Sequence, residues 1–99
     1  MFVEFRFRDL QSSEELENYA MDRLQKIGKF EKEPIHVAVT FSYAKSTKKV
    51  QLHLRSKRNE VVAQSEGEDF FGCLDEAATR IMSQLKKTKS RGRPLRKAS

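Results

Sequence analysis

Val3, Phe5 and Phe7 alternate with Glu4, Arg6 and Arg8, so the chain opens on a strand with one apolar face. The period then changes. Leu16, Tyr19, Ala20, Leu24 and Ile27 recur at helical spacing, which predicts a helix over about residues 13–30. Ser12 and Glu15 at its start have capping-box spacing, and Gly28 and Pro34 mark its end and the loop beyond. Alternation returns at Ile35, Val37, Val39, Phe41 and Tyr43. It breaks for a turn at Lys45-Ser46-Thr47-Lys48 and resumes at Val50, Leu52 and Leu54. Lys57-Arg58-Asn59 predicts a second turn, followed by a shorter strand over residues 60–65 around Val61, Val62 and Ala63. Gly67-Glu68-Asp69 then leads into a second helix, with Asp69 as its N-cap and Asp75 and Glu76 in its early turns. Its apolar stripe is Phe70, Phe71, Leu74, Ala77, Ala78, Ile81, Met82 and Leu85.

This order, βαβββα, predicts an α+β domain over residues 1–89. Strands two to four are joined by short turns and form an antiparallel meander, and a right-handed crossover through the first helix sets strand one parallel to strand two. Only one face of each strand is consistently apolar, so both helices pack on the same face of a four-stranded sheet. The other face carries Glu4, Arg6, Arg8, His36, Thr40, Gln51, His53 and Arg55. From Ser90-Arg91-Gly92-Arg93-Pro94 onward the composition does not build a core, which predicts a disordered basic tail over 90–99.

With 99 residues, 37% hydrophobic and 34% charged, the chain has material for one modest core. No apolar run approaches the roughly 20 residues of a membrane span, and the alternating start is unlike a secretory signal. Cys73 is the single cysteine, which excludes an intramolecular disulfide framework and a cysteine-cluster zinc site. These features predict a soluble cytoplasmic protein.

Charge changes the picture more. Residues 1–76 hold 12 Lys/Arg and all 14 Asp/Glu, whereas residues 77–99 hold eight Lys/Arg and no acid, so the excess of +6 comes from the C-terminal quarter. A polyanion is the partner that best neutralises such a block, with nucleic acid ahead of an anionic membrane. The bland alternative is a tail that only confers solubility.

Candidate enzyme parts are absent: there is no Gly-rich phosphate loop, no Ser/His/Asp or Cys/His spacing and no metal-ligand motif. His36 and His53 read as exposed sheet-face residues, and Cys73 as a small buried hydrophobe. The expectation is a non-enzyme without cofactor or small-molecule substrate. The helices carry the more informative residues. Arg23, Lys26 and Lys29 step along one flank of the first helix, with Arg23 inside the angular range of the apolar stripe. Arg80 and Lys87 share a flank of the second, although Glu76 four residues before Arg80 also suits a plain surface salt bridge. Lys86 and Lys89 carry the charge toward the tail. Together these residues predict a phosphate-binding surface that reads backbone charge and shape, spread over both helices and the groove between them.

The element order, the stretch Ser13-Glu14-Glu15-Leu16 with Arg23-Leu24 and Lys26-Ile27, and above all Ala63-Gln64-Ser65-Glu66-Gly67-Glu68-Asp69-Phe70-Phe71 leading to Leu74-Asp75 resemble one family. It is that of the bacterial ribosome hibernation-promoting factors and ribosome-associated translation inhibitors (the HPF/RaiA kind). The resemblance covers roughly residues 1–89, with Gln84-Leu85-Lys86-Lys87 adding to it. It implies binding to the small ribosomal subunit and its rRNA in the tRNA/mRNA channel, blocking translation and preserving idle ribosomes in stationary phase or stress. It also implies a short form; the chain is expected to be a monomer off the ribosome. The rRNA-facing positions it implies are Arg23, Lys26, Arg80, Lys86, Lys87 and Lys89, while Ser83 stands where relatives often have a basic residue. A general double-stranded-RNA-binding module is the alternative, since three strands and a helix with a Lys cluster also describe that class.

Overall fold

In a computed structural model the described residues are 1–32 and 34–98, with side chains described as far as Thr88 among the helical residues at the C-terminal end. The elements run β1 (Phe2–Phe7), α1 (Glu14–Phe30), β2 (Ile35–Ala44), β3 (Thr47–Ser56), β4 (Glu60–Gly67) and α2 (Phe70–Ala98). This is the predicted βαβββα order. α2 runs beyond Leu85, the last residue of its apolar stripe. The side chains from Lys89 onward, those of the expected basic tail over 90–99 included, lie outside the described residues, as does Ser99.

The four strands lie in the order β1-β2-β3-β4, with β1 parallel to β2 and the other pairs antiparallel. The parallel pair needs a long crossover, which α1 supplies, whereas the β2–β3 turn narrows to Lys45 and Ser46 because Ala44 already pairs with Thr47. Lys45 takes a positive φ of 58° there, a conformation that favours glycine.

Alternate residues of β2 up to Phe41 and of β3 from Val50 are driven inward, whereas Tyr43, next in the β2 series, is left 51% exposed. Ile35, Val37, Val39 and Phe41 meet Val50, Leu52 and Leu54 in a layer closed from above by Leu16, Ala20, Leu24 and Ile27 of α1 and by Phe70, Leu74, Ala77, Ile81 and Leu85 of α2. Both helices therefore cover one sheet face, as the alternation requires. Phe41 anchors the layer, stacked on Phe7 at 4.9 Å between ring centroids and meeting the edge of Phe70 at 5.7 Å. β1 is only half-covered. On β4 the inward positions are Ala63 and Ser65, and Val62 faces solvent at 47% exposure, so the apolar pair Val61-Val62 is split between faces by the strand's period of two.

The caps correct one detail. Ser13, not Ser12, caps α1: its Oγ accepts from the Leu16 amide at 3.2 Å. The third helical position is thus Leu16 rather than Glu15, and no glutamate reaches back to complete the reciprocal box. Asp69 caps α2 as expected, accepting from the Gly72 amide at 3.1 Å.

Candidate nucleic-acid interface

α1 and α2 lie side by side on the sheet, and the seam between them opens to solvent as a groove of about 730 Å³. Its floor is Ile27, Ala78 and Met82; its walls include Arg23 and Lys26 from α1 and Thr79, Ser83, Lys86 and Lys87 from α2. Four cations face a single acid, Asp75, among the residues lining it. Lys26, Lys86 and Lys87 are exposed and have no acidic partner within salt-bridge distance among the described residues.

Helical geometry explains which predicted residues converge. Steps of three lose about 60° each on a helix of 3.6 residues per turn, so Lys29 is turned roughly 120° from Arg23 and does not line the groove. Lys26, one step away, does. On α2, Arg80 and Lys87 start only about 20° apart, yet their side chains diverge. The Arg80 guanidinium sits 3.2 Å from the Glu76 carboxylate and donates to the backbone carbonyl of Gln64 on β4. Lys87, two turns on, borders the groove. The side chain of Lys89 lies outside the described residues.

Arg23 is the cation whose surroundings matter most. Its Nε lies 2.7 Å from Asp75 Oδ1, its Nη2 donates to the Tyr19 hydroxyl at 3.1 Å, and its guanidinium lies 5.1 Å from the centre of the Tyr19 ring. Tyr19 in turn donates to both Asp75 oxygens at 2.9 and 3.0 Å and packs edge-on against Phe71. The Nε–H finds no aligned acceptor, so the contact with Asp75 is a close ion pair rather than a directed hydrogen bond. The hydrogen bond to Tyr19, followed by the charge of Asp75, holds the guanidinium even more firmly protonated than usual. Asp75 and Tyr19 were not singled out as site residues from the sequence. The usable signal was Arg23 itself: a charge inside an apolar stripe faces the neighbouring helix and needs a partner there.

The remaining titratable candidates are accounted for structurally. Cys73 is 3% exposed, a small buried hydrophobe as predicted, and burial pushes its thiol pKa upward. His53 pairs with Glu60 at 2.8 Å on the outer sheet face, where His36 and Arg55 are cross-strand partners. No helix among the described residues is long and apolar enough to cross a membrane.

A βαβββα sheet with two helices on one face defines a small α+β domain whose helix–helix seam is lined by cations. Residues 3–93 match the model of the family described as Sigma 54 modulation protein / S30EA ribosomal protein, and the chain belongs to that family. A ribosome hibernation promoting factor of Pseudomonas putida is 27% identical over 95 residues, covering 96% of this chain and 93% of that protein. Among solved structures, the N-terminal domain of Thermus thermophilus Protein Y superposes with a TM-score of 0.81 at 18% identity, over 89% of this chain and 99% of that one. A ribosomal subunit interface protein of Coxiella burnetii superposes with a TM-score of 0.76 at 22% identity, over 91% and 99%. At those identities the two structures bear on the fold.

Proposed function

We propose that this chain is a ribosome-binding translation inhibitor that occupies the tRNA/mRNA channel of the small ribosomal subunit and maintains idle ribosomes in stationary phase or stress. Its membership of the family supports a ribosomal partner, and so does the name of its Pseudomonas relative. The observation that carries the reading is the groove between α1 and α2, where Lys26, Lys86 and Lys87 present uncompensated charge beside Arg23. Phosphates of rRNA are the anions such a rim attracts, and contacts of this kind set position and register without reading sequence. The mechanism is occlusion. A domain wedged in the channel by backbone contacts excludes tRNA and mRNA by volume, with no bond made or broken. The protein acts as a monomer in the cytoplasm, where ribosomes are, and needs no cofactor. Lys29, Arg80 and Lys89 extend the proposed rRNA surface beyond the groove, with Arg80 the least available because Glu76 and Gln64 already hold it.

The test is co-sedimentation with purified small subunits in moderate salt, comparing the wild type with a Lys26→Glu/Lys86→Glu variant. The wild type pellets with subunits and is poorly retained by free duplex RNA, while the variant stays in the supernatant. Thermal unfolding changes little, because exposed charges contribute little to stability. Equal retention on free duplex RNA supports the general double-stranded-RNA module instead. A variant that still pellets removes the groove from the interface.

A further inference from the structure

β4 is an edge strand, and its eight residues offer a second chain a row of outward backbone groups. In an antiparallel pair alternate residues turn both N–H and C=O away from the partner, so Val62 and Gln64 face the open side. Neither carbonyl is free. Arg80 donates to the carbonyl of Gln64, and the Gln84 side-chain amide donates to that of Val62 at 3.1 Å. The spacing fits: residues four apart on a helix advance about 6 Å, and residues two apart on a strand advance about 6.7 Å. α2 thus lays two side-chain donors along β4 where a neighbouring strand would place its amides. The Arg80 donor is itself held, by Glu76 at 3.2 Å, and Glu76 accepts the hydroxyl of the buried Ser65. Beside this edge Val62 is left 47% exposed, an apolar side chain that strand pairing would cover.

We propose that the free edge of β4 is a self-association surface for a second copy of this chain, kept closed by Arg80 and Gln84. The paired state is two β4 strands meeting antiparallel about a two-fold axis to give one continuous eight-stranded sheet. A second β4 must break the Arg80 and Gln84 bonds to gain its own, so the intact chain gains little by pairing. Without the two donors the carbonyls of Val62 and Gln64 are exposed, and the balance reverses. This inference does not rest on the ribosomal reading: neither Arg80 nor Gln84 lines the groove, and of the two only Arg80 belongs to the proposed rRNA surface.

The experiment is light scattering coupled to size exclusion over a wide concentration range, on the wild type and on an Arg80→Met/Gln84→Met variant that keeps both helical stems. The wild type elutes at the 11.5 kDa of one chain, and the variant's mass rises toward twice that with concentration. Adding Val62→Pro, which removes the outward N–H without touching the β3 ladder, returns the variant to one chain. Should the double variant lose cooperative unfolding, Gln84→Met alone leaves Arg80 and Glu76 in place and carries the same measurement. A folded variant that stays at one chain throughout, or a dimer that Val62→Pro does not dissolve, overturns the proposal.

Discussion

Asp75 on α2 holds Arg23 on α1 at 2.7 Å, and the Tyr19 hydroxyl hydrogen-bonds to both partners. One contact thus ties the two helices together and neutralises the innermost cation of the groove. Both side chains are partly exposed, so solvent screening keeps the pair's worth in stability small. Its larger consequence is on binding: an approaching phosphate meets a guanidinium already shared with a carboxylate.

Replacing Asp75 with Asn keeps an acceptor for Tyr19 and releases the charge of Arg23. Binding to small subunits is expected to tighten, and the slope of log K against log salt to steepen by roughly 0.9, the increment for one further phosphate contact. A salt titration of binding checks this. An unchanged slope means that Arg23 does not reach RNA.

Phe41 is fully buried between Phe7 and Phe70 at the centre of the sheet. Phe41→Ala is expected to cost about 3–5 kcal/mol in urea unfolding, because the helices above cannot collapse into the space left. A cost near 1 kcal/mol would mean that the layer relaxes freely.

Lys45 holds a positive φ in the β2–β3 turn. Lys45→Gly relieves that conformation at the expense of a more disordered unfolded chain, for a net gain of about 0.5 kcal/mol. The midpoint of denaturant unfolding rises if this is right and falls if the lysine side chain makes up the difference.

Burial raises the Cys73 thiol pKa in the folded state. The unfolded thiol therefore ionises first as pH rises, so the contribution of the buried thiol is complete below the ordinary thiol range and is lost progressively above it. Relative to Cys73→Ala, the wild type is expected to lose stability at alkaline pH, measured as parallel unfolding curves at neutral pH and above pH ~9. Curves that keep a constant separation sink this assignment.

Much was legible along the chain because it depends on local periodicity. The period of two in Ile35–Phe41 and Val50–Leu54, and the helical spacing of Leu16–Ile27, placed each element and its buried face, and the order of elements then left one sheet with both helices on one side. The cap at Ser13 was missed by one residue, since Ser12 and Ser13 are chemically alike and only the start of the hydrogen-bond ladder separates them. Five of the cationic candidates sorted themselves only in three dimensions. Lys26, Lys86, Lys87 and Arg23 share a groove, whereas Arg80 folds away to β4.

The reason lies in the range of the forces involved. Burying an apolar face is a property of a segment and its repeat, which residue order alone determines. Long charged side chains reach several ångströms and settle on whichever acid or carbonyl the packing brings near: Asp75 for Arg23, Glu76 and the Gln64 carbonyl for Arg80. Those partners lie 52, 4 and 16 positions away in sequence, and two of the three became neighbours only when α2 docked against α1 and β4.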